Sequence, residues 1–317
     1  MHDHGDEHDD EDRHEHHGHQ HEHAVSGSKL PITIGILSIT FLAELIGGLA
    51  FGSLSLVSDS AHVFSDLLSL ALAFGALRIA LSRQPSDRMT YGYHRLEIMS
   101  AILNGAMLVV VSIYILFEAY ERYRNPQEIQ AFSAMLIAIV GFVVNLVSML
   151  VLRSDVHHHE DLNLRSAYLH LLGDAGASVA VIVGMLTIQF TSYTIVDPLL
   201  AAGISLLILY SAIRVLAEGT GILMQRAPAD PEQIQELIRE IDGVVDFADV
   251  RMWLVCSHIG VCTAHVVTSV ETLEETERIG AQIREILRRE AGIRHATLQF
   301  ETEAMSERHS HDLDHQH

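Results

Sequence analysis

Two short stretches of this chain place an imidazole and a carboxylate on one helix face inside otherwise apolar text. In "AHVFSDL" (61–67) His62 precedes Asp66 by four residues, and in "AYLHLLGDAGA" His170 precedes Asp174 by the same interval. At i and i+4 the members of each pair stand about one helical turn apart. Asp59, three residues before His62, shares the first face and reads as a packing or capping residue. Two imidazole nitrogens and two carboxylate oxygens suit tetrahedral zinc, with cobalt or cadmium as plausible alternatives. Two aspartates also balance a dication, which removes much of the cost of charge in an apolar medium. The plainer reading of one pair alone is a His–Asp hydrogen bond within a helix or across a bundle. The same spacing in a second segment favours a metal site formed by His62, Asp66, His170 and Asp174.

The elements that must position these groups follow from composition. Of 317 residues 49% are hydrophobic and only 19% charged, and the charges crowd the first 23 positions and those after about 228. That profile is a membrane core with polar ends. Six apolar stretches reach spanning length, at about 31–51, 55–80, 98–120, 131–152, 165–190 and 195–217. Their order gives a six-helix transmembrane domain over 30–220. At about 1.5 Å rise per residue, His62 and Asp66 lie roughly 10 and 17 Å into the second span. Entering from the opposite side, His170 and Asp174 reach similar depths, so all four can meet near the midplane of a core about 30 Å thick. Glu44, Asn104 and Asn145 are further polar groups in apolar spans, read here as helix–helix hydrogen bonds. Gly48 and Gly52 have the spacing that lets helices approach closely.

Basic residues set the orientation. With both termini in the cytoplasm, the inner links and flanks hold Lys29, Arg78, Arg83, Arg88, Arg95, Arg153, Arg165, Arg214 and Arg226. The outer links then hold only Arg122 and Arg124. Residues 1–29 and 304–317 read as disordered, His- and acid-rich cytoplasmic tails offering weak metal ligands. The first tail has no apolar run of signal-peptide length. A net charge of −21 leaves no basic stripe for phosphates, which excludes a nucleic-acid partner.

From 228 to 303 the order helix–strand–strand–helix–strand predicts a small cytoplasmic α+β domain, with Asp230 as N-cap, Pro231 at the first helical position and a hairpin around "SHIG". Its second helix presents Leu273, Ile279, Ile283, Ile286 and Leu287 on one face. Cys256 and Cys262 are too few for a disulfide framework and read as reduced thiols. With His258 and His265 they could form a soft cytoplasmic metal site, although plain surface and strand residues remain the simpler reading. His94 and Asp87 are weaker candidates of the same kind. His157, His158 and His159 form a loop that could collect metal near the entrance, with solvated loop residues as the simpler reading.

Taken together these residues resemble the cation diffusion facilitators, exporters of zinc and related metals in exchange for protons. The resemblance rests on "SLSLVSDSAHVFSD", "YGYHRLEI", "VNLVSM", "AYLHLLGDAGASVAVI" and "VDPLLAAGISLLILY", then "ADVRMWLV", "AHVV" and "HATLQFE", across about 30–302. It implies that His62, Asp66, His170 and Asp174 form the transport site of a zinc-preferring member. It also implies a ferredoxin-like C-terminal domain that forms a homodimer and can bind regulatory zinc. Arg251 stands where the family commonly has His, and His265 matches the family's "HV" position. The expectation is a multi-pass protein of the plasma (inner) membrane that exchanges cytoplasmic zinc for protons. It needs no cofactor beyond the transported metal, and the absence of thiolate from the four-ligand set suits a site that must let its cargo go. Two other classes stay open from the residues: a His-rich membrane metalloenzyme, and a metal-sensing or buffering membrane protein acting through its tails.

Overall fold

The computed structural model describes residues 30–82, 89–156, 162–270 and 272–305. Six long helices come first: α1 (Leu30–Phe51), α2 (Leu54–Ser82), α3 (Arg95–Arg124), α4 (Ala131–Val156), α5 (Leu162–Thr191) and α6 (Val196–Leu223). Several outrun the apolar stretches that announce them, because a helix continues on backbone hydrogen bonds after its side chains turn polar. At the end of α3, for example, Arg122 pairs with Glu118 one turn back (2.8 Å) and donates to the Gly52 carbonyl (2.7 Å).

By length and hydropathy, four helices among the described residues are able to cross a membrane alone: α1 from Ile34, α3, α5 from Leu172, and α6. The Ala131–Val147 part of α4 is a shorter apolar segment. α2 is the polar helix of the bundle, with Ser55, Ser58, Asp59, Ser60, His62, Ser65 and Asp66 along its first half. It is surrounded by α1, α3, α5 and α6, while α3 packs along α6 and α4 along α5. Outward-facing Ile39, Leu49, Val110, Phe117, Leu207 and Tyr210 are exposed, an apolar girdle of the kind that lipid covers. The pair Gly48 and Gly52 divides its work. A Cβ on Gly48 would strike Val57, so that residue sets the approach of α1 to α2. Gly52, at φ +75°, makes the turn between the two helices instead.

The polar region forms α7 (Pro231–Arg239), β1 (Val244–Cys256), β2 (Ile259–Thr268), α8 (Leu273–Ala291) and β3 (His295–Glu301), the order expected. β1 and β2 form an antiparallel hairpin turning at Ser257 and His258, and β3 adds parallel to β2 after the α8 crossover. Asp230 caps α7 by accepting from the Glu232 N–H (3.0 Å). Thr272 caps α8 by accepting from the Glu275 N–H (3.3 Å) and donates its hydroxyl to the Glu275 carboxylate (2.7 Å); the helix ends on left-handed Gly292. Phe247, Met252, Cys262, Ala264 and Val266 of the sheet meet Ile234, Ile238, Ile279, Ile283 and Leu287 of the helices in one core. Leu273, expected on that face, is instead 77% exposed: it is the first residue of α8, a turn and a half before the helix reaches the core at Ile279.

Candidate metal centre

The position of α2 is set at its N-terminus, where the first N–H groups of any helix lack intrahelical acceptors. Asp197, fully buried in the first turn of α6, supplies them. Its Oδ2 accepts from the Leu54 N–H (2.7 Å), and its Oδ1 from the Ser55 N–H (3.0 Å), the Ser55 hydroxyl (2.6 Å) and the Ser53 hydroxyl (2.8 Å). The carboxylate also lies at the positive end of the helix dipole. Sequence reasoning missed this residue. The available signal was an acid in the first turn of an apolar span, "VDPLL", with no basic partner near it. Farther along, Ser58 and Ser205 hydroxyls meet at 3.0 Å, joining α2 to α6. Asn104 of α3 donates to Ser65 (3.2 Å) and Ser69 (2.7 Å), the helix–helix hydrogen bond expected of it.

With two flanks of α2 held by α3 and α6, the face bearing Asp59, His62 and Asp66 meets α5. His62 Nε2 lies 2.8 Å from Asp174 Oδ1 and 3.9 Å from Asp66 Oδ2. One potential ligand atom from each of the three residues lies within 4.8 Å of the others. A tetrahedral zinc with ligands at 2.0–2.1 Å would hold such atoms about 3.3 Å apart, so adjustments of roughly an ångström build three corners of that site. The side chains are 25%, 28% and 12% exposed, open enough for a small ion to enter. One turn earlier, Ser178 of α5 donates to buried Asp59 at 3.5 Å. Asp59 with Ser178 and His62 with Asp174 therefore give an antiparallel register, four residues back along α5 for three forward along α2. Asp59 fits the packing role expected of it.

The His170 side chain lies outside the described residues, as do His157, His158, His159, Asp87 and both tails through residues 1–29 and 306–317. Glu44 of α1 departs from its expected role as a helix–helix hydrogen bond. Only 1% exposed, its carboxylate lies against Gly141 of α4, and neither oxygen has a hydrogen-bond partner among the described residues.

In the C-terminal domain the four residues considered together do not gather. Cys262 and His265 are three apart on β2, so strand alternation sends them to opposite faces. Cys262 enters the core, where burial pushes its thiol up to about 11. His265 pairs with buried Glu301 of β3 at 2.8 Å. Arg251 is exposed and pairs with Asp249 at 3.0 Å. Cys256 and His258 stand at the hairpin turn, where with His94, the residue before α3, they form the other His/Cys cluster among the described residues; Glu97 in the first turn of α3 lies 4.0 Å from His258.

Comparison with known proteins agrees with this architecture. Residues 30–224 match the family model described as the cation efflux transmembrane domain, and 227–303 match the cation efflux protein cytoplasmic domain. The chain is 34% identical over 291 residues to the cadmium, cobalt and zinc/H(+)-K(+) antiporter of Bacillus subtilis, covering 90% of this chain and 91% of that one. It is 35% identical over 280 residues to zinc transporter ZitB of Escherichia coli, covering 86% and 87%. To the human proton-coupled zinc antiporter SLC30A8 it is 31% identical over 284 residues, covering 86% and 76%.

Proposed function

The chain belongs to the cation efflux family of membrane metal transporters, and on that premise we propose that it expels a divalent metal, zinc first, from the cytoplasm in exchange for protons. Cadmium and cobalt, the other metals named for the Bacillus relative, are secondary cargoes. A family of transporters sets aside the membrane metalloenzyme.

The observation that carries this reading is the meeting of His62, Asp66 and Asp174 between two antiparallel helices. Carrying the register of α2 and α5 one more turn brings position 170 level with Asp66, which supports His170 as the fourth ligand. Zinc needs neutral imidazole and ionised carboxylate, so metal and protons compete for the same atoms. Histidine, whose ordinary value is about 6.5, suits that competition near neutral pH. On the cytoplasmic side zinc displaces protons; on the far side protons displace zinc. The basic-residue asymmetry supports cytoplasmic termini, and the match of 227–303 to a cytoplasmic domain agrees with it. The same domain is the proposed homodimer contact.

The test is transport by the purified protein in liposomes with an acidic interior. External zinc should enter while protons leave, and an uncoupler that collapses the gradient should stop uptake. Zinc flux indifferent to the gradient would rule out antiport.

A further inference from the structure

The hairpin turn of the C-terminal domain touches the membrane domain at a set of residues with metal-ligand chemistry. Ser257, at the turn, donates its hydroxyl to Glu97 Oε1 in the first turn of α3 at 2.6 Å, across 160 positions of sequence. The flanking residues carry donors. Cys256 Sγ lies 3.6 Å from a ring nitrogen of His258, and His258 Nδ1 lies 4.0 Å from Glu97 Oε2. His94, immediately before α3, meets the His258 ring edge-to-face with centroids 5.9 Å apart. A ligand atom from each of His94, Cys256 and His258 falls within 4.8 Å of the others.

We propose that His94, Cys256 and His258, with Glu97 as fourth donor, form a binding site for a soft divalent cation, zinc or cadmium, that fastens the C-terminal domain to α3. One sulfur, two imidazoles and a carboxylate make a tetrahedral zinc set, with bonds of about 2.3 Å to sulfur and 2.0–2.1 Å to nitrogen. Ligand atoms would then stand about 3.3–3.6 Å apart, a contraction of roughly an ångström. His258 has the freedom to make it, since its side chain is 65% exposed on a turn. Without metal, burial raises the Cys256 thiol, so it waits as a neutral SH; binding expels that proton and makes the thiolate.

The thiolate gives this site a harder grip than the thiol-free set on α2 and α5, as suits a cation that stays. The linkage has a consequence for transport. α3 packs along α6 and against α2, the helix of His62 and Asp66, so a metal bound here braces the helices that hold the cargo. This site does not depend on the antiport reading, and its test reads sulfur ligation, which the membrane site cannot produce.

The experiment titrates cobalt(II) into the full-length protein in detergent and follows the near-ultraviolet thiolate-to-cobalt charge-transfer band. The band should appear in the wild type, persist in Cys262→Ala and Asp174→Ala, and vanish in Cys256→Ser. His94→Ala and His258→Ala should each weaken cobalt binding at least tenfold. No band in the wild type, or a band surviving Cys256→Ser, overturns the proposal. Maleimide labelling of the wild-type protein guards against misfolded variants: zinc should slow modification of Cys256 at least tenfold, and equal rates with and without zinc also overturn it.

Discussion

Asp197, in the first turn of α6, accepts both the backbone N–H (3.0 Å) and the hydroxyl (2.6 Å) of Ser55, near the start of α2. This carboxylate is buried 142 positions from its partner and anchors the helix that carries His62 two turns farther on. Removing it in Asp197→Ala leaves the Leu54 and Ser55 N–H groups without acceptors. Each buried donor left unsatisfied costs about 1–3 kcal/mol. A drop of several degrees in the thermal midpoint in detergent is expected, together with loss of zinc transport. Asp197→Asn, keeping one acceptor oxygen, should fall between; an unchanged midpoint in both variants would show that the cap is dispensable.

Asp174 bonds His62 at 2.8 Å and, in the proposed function, also binds zinc. Asp174→Asn separates the roles, because the amide oxygen still accepts from His62 but carries no charge. The variant should keep its thermal midpoint while zinc affinity falls by at least 10–100-fold, the loss seen when even outer partners of a metal are removed. Isothermal titration and transport on one preparation read both quantities. Wild-type affinity would remove Asp174 from the ligand set.

Acid should weaken zinc binding, because His62 must be neutral and Asp66 and Asp174 ionised to ligate. Below histidine's ordinary value of about 6.5, each displaced proton costs about tenfold in affinity per pH unit. Titrations in two buffers of different ionisation enthalpy count the protons released per zinc. Affinity flat between about pH 7.5 and 5.5 would dissociate protons from the metal site.

Cys262, pushed up to about 11 by burial, carries thiolate in about one molecule in a thousand at pH 8. Labelling of full-length protein by maleimide, followed by peptide mass spectrometry, should find Cys262 nearly inert there, its rate rising about tenfold per pH unit toward 11. The sign for stability follows from the raised value. The neutral thiol's contribution is complete below its ordinary value of 9.0 and is lost as pH climbs through 9 to about 11. Alkaline unfolding watched at Trp253 should begin in that window and shift upward in Cys262→Ala.

Residues differ in how far their setting is written locally. Asn104 was readable as a helix–helix hydrogen bond because an amide in an apolar span must find a partner, and it finds Ser65 and Ser69. Glu44 followed the same logic and departs from it, its oxygens lying against Gly141 without a hydrogen-bond partner among the described residues. The separation of Cys262 from His265 was also legible, since residues three apart on a strand face opposite ways. That Cys256 and His258 would turn toward His94 was not, because nothing in "WLVCSHIG" says what the hairpin touches.

By itself the sequence determined the six helical stretches, the α-β-β-α-β order after them and the donor chemistry of the two His–Asp pairs. Those features rest on hydropathy, periodicity and spacing, which act over one or two turns of chain. Only the tertiary structure decided that His62 meets Asp174 rather than its own helix neighbour alone, and that Asp197 caps α2. It also divided the cytoplasmic His and Cys residues between a core, an ion pair and a contact with α3. Such meetings span more than a hundred residues, where proximity is set by how helices pack and where a capping carboxylate fixes their register.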